Sequence, residues 1–190
     1  MRIAVIGTGH IGSTLGKAWL RAGHDVVFGS RTDTGEGPGG APVGPVADAL
    51  EGADVVLLAV PGGAVEAVVK DNAAALDGKV VIDVANRMGG GSHNSREVIA
   101  EHARGAHYAR AFNTLGVENY AKPPEGADLF YAADAAGRKA LEELITAVGL
   151  RPALLGGADA ADVVDNALTL WFALTKQQHT RHLALRVVTG

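Results

Sequence analysis

The chain has 190 residues, with 17 Lys and Arg against 21 Asp and Glu, a formal net charge of −4, and its basic residues scattered along its length. That balance offers no platform for nucleic acid or an anionic membrane, and the length suffices for one substantial core or a core with an appendage. Cysteine is absent, which excludes disulfides, thiolate metal sites and cysteine nucleophiles and fits a reducing compartment.

Residues 1–6 form a short β-branched apolar run that reads as a buried parallel strand. The run enters Gly7-Thr8-Gly9-His10-Ile11-Gly12, after which Ile11, Leu15, Ala18, Trp19 and Ala22 recur on one face of a helix. Gly23 supplies the helix stop, and residues 25–28 make the next strand. Strand, glycine turn, helix, strand is the setting in which G-x-G-x-x-G binds a dinucleotide. Gly7 permits the tight turn, Gly9 leaves room for backbone to approach a pyrophosphate, and Gly12 lets the helix pack closely. The free N–H groups of the first helical turn then face the phosphates. Because the N-terminus enters a strand at once, no room is left for a cleaved signal. The longest apolar stretches, such as residues 55–60, are too short to span a bilayer, so a soluble cytoplasmic protein is expected.

An NAD or FAD site usually carries Asp or Glu at the tip of the second strand, to accept bonds from the ribose hydroxyls. Here the strand ends Gly29-Ser30-Arg31-Thr32, and Asp33 comes only after an arginine and a threonine. A guanidinium flanked by hydroxyls suits a 2′-phosphate, whose oxygens it bonds bidentately. The pattern points to NADP rather than NAD; the plain alternative is a solvated loop arginine.

Residues 32–45 hold five glycines and three prolines with no apolar periodicity, which predicts a loop over the adenosine end in place of a second crossover helix. A short helix over 45–50 leads to a buried strand ending at Pro61, and Val65, Val68 and Val69 give the next helix its inner face. Residues 79–86 form a strand with Asn86 at its carboxyl end, followed by a loop over 87–93 that reads as mobile. Asn94 or Ser95 can cap a helix carrying Val98, Ile99 and His102. A strand over 107–112 leads to Asn113 and Thr114. After it come a strand at 129–132, a helix marked by Leu141, Leu144, Ile145 and Val148, and a short edge strand at 151–155. A helical stretch from about Asp159 to Leu185 closes the chain, with Val163, Val164, Ala167, Leu168, Trp171 and Leu174 as a stripe that two helices could share. The expected fold is α/β, a doubly wound, mostly parallel sheet of the NAD(P)-binding Rossmann type with a C-terminal helix. Residues 1–158 would form the nucleotide-binding unit, and 159–190 a dimerising helix within the same domain.

With the glycine turn, Ser30-Arg31, Ala59-Val60-Pro61, residues 83–86 and Ala111-Phe112-Asn113-Thr114-Leu115 in this order, the chain resembles a known family over essentially its whole length. It is similar to the NADP oxidoreductases dependent on coenzyme F420, a deazaflavin, and to related NADP-binding reductase domains. The resemblance implies hydride transfer between NADP(H) and a second redox partner stacked on the nicotinamide, in a homodimer paired through its C-terminal helices. It implies that Thr8, His10, Ile11, Ser30 and Arg31 touch the adenosine phosphates and pyrophosphate. Ala59, Val60, Pro61, Ala85 and Asn86 would line the ribose and nicotinamide, and Asn113 and Thr114 would face the deazaflavin. Two features depart from the family: Arg87 and a triple glycine follow Asn86 where many relatives have proline, and the C-terminal helix is short.

Hydride transfer between two ring cofactors needs alignment and water exclusion more than an acid or base. An imine or carbonyl substrate would need a proton donor, for which His93, His107, Asp162, Asp165, Lys176 and His179 are the candidates; a solvated or structural role is the simpler account of each. The related β-hydroxyacid dehydrogenases carry a catalytic lysine early in the long helix, whereas here Asp162 precedes Asn166 and the nearest lysine is Lys176. An aspartate near that point resembles the imine reductases, which carry a much longer helical domain. His179 and His182 are the only closely spaced histidine pair, too little for a metal site. The alternatives to a deazaflavin partner are therefore a direct NADPH-dependent reductase of a small imine or carbonyl and a non-catalytic NADP(H)-sensing module.

Overall fold

The computed structural model describes residues 1–87 and 92–189. In chain order the elements are β1 (Arg2–Ile6), α1 (His10–Arg21), β2 (Asp25–Gly29), β3 (Gly35–Glu36), β4 (Pro42–Gly44), α2 (Val46–Leu50), β5 (Val55–Leu58) and α3 (Val65–Asp71). They continue with β6 (Val80–Asp83), α4 (Arg96–His102), β7 (His107–Arg110), α5 (Val117–Ala121), β8 (Asp128–Ala133), α6 (Arg138–Ala147), β9 (Arg151–Gly156) and α7 (Ala161–Gln178). The predicted mobile loop falls largely on residues 88–91, outside the described residues.

Among the described residues the strands form one nine-stranded sheet in the order β3-β4-β2-β1-β5-β6-β7-β8-β9. Pairing is parallel except between β3 and β4 and between β7 and β8. Strand alternation sorts the core into two layers. Ile3, Val5, Val55, Leu57 and Ile82 pack on one face with Leu15 and Trp19 of α1, Leu141 and Leu144 of α6, and Trp171 of α7. Ala4, Ile6, Val56, Leu58 and Val81 pack on the other face with residues of α2, α3 and α4. This is the expected doubly wound α/β sheet. The chain reverses direction across the sheet between β1 and β5, so a crevice opens past their carboxyl ends.

Two elements differ from the sequence expectation. The glycine- and proline-rich stretch is not wholly a loop. Val43 of β4 is buried in register with Phe28 of β2, and Ser30 N–H donates to the Gly44 carbonyl (2.8 Å), so the sheet gains a strand there. Three residues of β4 are too few to register as an apolar alternation. The C-terminal helix ends at Gln178, not near Leu185, because His179 takes a left-handed conformation (φ 52°). Beyond it the chain returns to the body: Trp171 Nε1–H donates to the Leu183 carbonyl (2.7 Å), Asp128 N–H to the Leu185 carbonyl (2.9 Å), and Val187 N–H to Asp128 Oδ2 (2.6 Å). The segment around Leu183–Leu185 therefore lies as a strap against α7 and β8, with Leu183 and Ala184 packed on the core.

Candidate functional site

The crevice between β1 and β5 is framed by the glycine turn. Gly7 has φ +113°, and its N–H donates to the Gly29 carbonyl (2.9 Å); a Cβ there would overlap the carbonyl oxygen of Ala59. A Cβ on Gly12 would overlap the carbonyl oxygen of Gly7 and crowd Val5 and Ala59. At Gly9 a Cβ would meet nothing within 4 Å, so that flank of the turn is open. Ser13 closes the first helical turn, its N–H donating to the Gly9 carbonyl (2.8 Å) and its hydroxyl to the Thr8 carbonyl (2.7 Å).

Beside the turn lies a cleft of about 700 Å³, bounded by Gly7, Thr8 and Gly9, by Ser30 and Arg31 at the tip of β2, and by Ala59, Val60 and Pro61 past β5. The other sequence-predicted residues do not line it. His10 and Ile11 open α1, Gly12 serves packing, and Ala85, Asn113 and Thr114 are buried. Asn86 lies just past β6, half-buried. Arg31 is exposed and pairs with no carboxylate among the described residues.

The tip of β2 is not without a carboxylate. Asp33 folds back, its Oδ2 accepting the Thr8 hydroxyl (2.8 Å) and the Ser30 hydroxyl (2.9 Å), while its own N–H donates to Ser30 Oγ (3.0 Å). The hydroxyls of Thr8, then Ser30, hold the Asp33 carboxyl below the usual carboxylate range, against a smaller opposing effect of desolvation. The signal missed in the sequence is Ser30-x-x-Asp33, a spacing at which a serine oxygen can accept the N–H that brings the carboxylate back.

A second unexpected group lies beneath Asn86. Arg110, in the middle of the sheet, is fully buried with Asp83, and Asp165 at the start of α7 is 5% exposed. Arg110 Nε–H and Nη2–H donate to Asp165 Oδ1 (2.8 and 2.7 Å), and Nη1–H donates to the carbonyls of Asp83 (3.1 Å) and Ala85 (2.6 Å). Nη2–H also reaches Asn86 Oδ1 (2.7 Å), and Asn86 Nδ2–H donates to the Asn113 carbonyl (3.2 Å). The guanidinium thus fixes the amide of Asn86. Asp83 Oδ2 accepts the Ser95 N–H (2.6 Å) and the Tyr108 hydroxyl (3.1 Å). Burial pushes its carboxyl above the usual range, with Arg110 pulling the other way. Burial, then the Asp83 charge, pushes the Tyr108 phenol well up, which keeps it a neutral donor.

The proton-donor candidates do not converge. Asp165 is committed to Arg110, Asn94 and Asn113, and Asp162 accepts from Ser92 and Asn94. His93 Nδ1 faces the Arg87 carbonyl, His107 begins β7, Lys176 is exposed and His179 ends α7. None of them lines the cleft. Among the described residues no group of three His, Asp or Glu could hold a metal ion, and no helix is long and apolar enough to cross a membrane.

Residues 2–87 match the family model described as NADP oxidoreductase, coenzyme F420-dependent. That match bears out the resemblance over residues 2–87. It spans the glycine turn, Ser30-Arg31 and Asn86, while Asn113 and Thr114 lie beyond the matched segment. Among solved structures, a candidate F420-dependent NADP-reductase from Arthrobacter sp. FB24 superposes with a TM-score of 0.86 at 23% identity, covering 100% of both chains. A hypothetical protein from Sinorhizobium meliloti follows at 0.71 and 27% identity, covering 85% of this chain and 87% of that one. A reductive aminase from Aspergillus terreus, solved with NADPH and ethyl-5-oxohexanoate, gives 0.72 at 19% identity over 94% of this chain and 62% of its own. These superpositions establish a shared fold.

Proposed function

We propose that the chain is an oxidoreductase that moves a hydride between NADP(H), held in the cleft at the β1–β5 crevice, and a deazaflavin of the coenzyme F420 type. The observation that carries the cofactor half is the exposed Arg31 at the tip of β2, paired with no carboxylate among the described residues, on the same cleft as the open flank of Gly9. A guanidinium there suits a 2′-phosphate, and an open glycine flank beside a helix N-terminus suits a pyrophosphate. The family match supports the same pairing of cofactors. When bound, NADP(H) supplies the hydride; the chain's task is to hold it and exclude water. To Asn86, which lies past β6 outside the cleft lining with its amide fixed by Arg110 and by the Asn113 carbonyl, we assign the nicotinamide end.

The test is a calorimetric titration with NADPH and NADH, followed by mixing NADPH with coenzyme F420 and no other substrate. Arg31→Asp should weaken NADPH at least about tenfold and leave NADH nearly unchanged. An unaltered NADPH affinity would remove the 2′-phosphate assignment. Reduction of the deazaflavin supports the second half; turnover only with an added imine or carbonyl would replace it with a direct reductase, and binding without turnover would replace it with a sensing module.

The assembly we propose is a homodimer. Of the apolar stripe on α7, Val164, Leu168 and Trp171 are buried within the chain, while Val163 and Leu170, seven residues apart and so on one side of the helix, are each 50% exposed. A second copy of this chain, covering that apolar face, accounts for it. Light scattering should give twice the chain mass, and a single-chain mass would refute the dimer.

A further inference from the structure

Thr8 and Ser30 stand on the glycine turn and at the tip of β2, and each hydroxyl has one proton to give. Both protons go to one acceptor, Asp33 Oδ2, at 2.8 and 2.9 Å. The loop holds the carboxylate in that place: the N–H groups of Thr32 and Asp33 return to Ser30 Oγ (3.3 and 3.0 Å), and the Thr32 hydroxyl donates to Asp33 Oδ1 (3.3 Å). Asp33 is nonetheless exposed and forms part of the cleft wall beside Arg31. The chain thus seats its own anion on two donors drawn from separate segments, Thr8 standing 25 residues before Asp33 and Ser30 only three.

If NADPH binds in this cleft as proposed above, a 2′-phosphate entering beside Arg31 seeks the same two hydroxyl donors. It finds their protons taken and a like charge next to them, so Asp33 must be displaced or repulsion endured. A ribose without the phosphate brings donors instead of charge. An ionised carboxylate has about four acceptor positions, and the three hydroxyls leave at least one open to a ribose hydroxyl. We infer that Asp33 is a specificity-determining residue that opposes Arg31, occupying the donors a 2′-phosphate would use while offering an acceptor to an unphosphorylated ribose. The cleft then takes NADH as well as NADPH, with a narrower preference than Arg31 alone would impose.

The experiment is calorimetric titration of the full-length chain and of Asp33→Asn and Asp33→Ala with NADPH and with NADH. Asn keeps an acceptor for the hydroxyls and removes the charge; Ala removes both. The ratio of the NADH to the NADPH dissociation constant should rise on the order of tenfold in Asp33→Asn, through tighter NADPH and weaker NADH. A ratio within twofold of the parent chain in Asp33→Asn overturns the inference. So does a lower NADPH affinity in both variants, which would make Asp33 a loop support only. Failure of the unsubstituted chain to bind either dinucleotide overturns the cofactor assignment and this inference together, whereas binding with an unchanged ratio overturns this inference alone.

Discussion

Replacing Arg110 with Met should cost about 3–5 kcal/mol of stability, the range found when one partner of a buried ion pair is removed. For a domain of this size that lowers the melting temperature by on the order of 10 °C. Methionine fills much of the volume, so the loss comes from charge: Asp83 and Asp165 are left facing each other in the interior, and two backbone carbonyls and the Asn86 amide lose a donor. The deficit should depend on pH with a definite sign. The folded carboxyl of Asp83 is already raised, so its contribution is present at low pH and is lost as pH rises through the folded value. Without Arg110 it rises further. The variant should therefore lie nearest the parent chain at low pH and fall further behind as pH rises through the folded value, as thermal melts across the pH range would read. Adding Asp165→Asn should recover part of the loss. A variant within about 1 kcal/mol of the parent at neutral pH would mean that the guanidinium contributes little net stabilisation.

Gly12→Val should lower NADPH affinity by about a hundredfold or more, close to 3 kcal/mol. Its β-carbon would collide with the Gly7 carbonyl and press on Val5 and Ala59, so either α1 moves off the sheet or the turn loses the shape that presents its N–H groups. Thermal melting should fall as well, since Val5 belongs to the central core. Gly9→Ala is the informative contrast. Its added methyl meets nothing within 4 Å, so melting should change by less than about 0.5 kcal/mol, while the methyl occupies the flank where a pyrophosphate would approach. Titration and melting of the two variants together separate a glycine that the fold requires from one that a ligand requires. Retained NADPH affinity in Gly12→Val would show that the turn is not the phosphate cradle.

The first half of the chain is legible because its signals are local. The run from Arg2 to Ile6, the glycine turn and the helix face of Leu15, Ala18 and Trp19 each lie within a few residues and agree with one another. Arg110 could not be placed in the same way. An arginine in a strand reads as an edge or a surface residue unless its partners are known, and here they come from residues 27 and 55 positions away. Asp33 reads as a loop residue because its return depends on Ser30 Oγ, a contact that composition does not encode. The end of α7 differs from the sequence expectation for a related reason. Leu185 keeps helical spacing with Leu174, but the chain beyond Gln178 reaches the body through a reversal at His179 that no glycine or proline announces. The glycine turn and Ser30-Arg31 border one cleft, whereas Asn113 and Thr114 are closed over, 3% and 2% exposed, with Asn113 Oδ1 and Thr114 Oγ1 lacking a hydrogen-bond partner among the described residues.

The distance in sequence between Arg110 and Asp165 also bears on how the protein is made. Synthesis delivers the chain from its N-terminus, and domains tend to fold as they emerge. The glycine turn and the strands around it are complete once β7 has formed, but at that stage the buried guanidinium has only Asp83 beside it. Its principal carboxylate arrives 55 residues later, on the first turns of the last helix. The half of the chain that carries the glycine turn should therefore stay loosely assembled on the ribosome until that helix appears. A nascent chain stopped short of Asp165 would then be more open to protease than one that includes it.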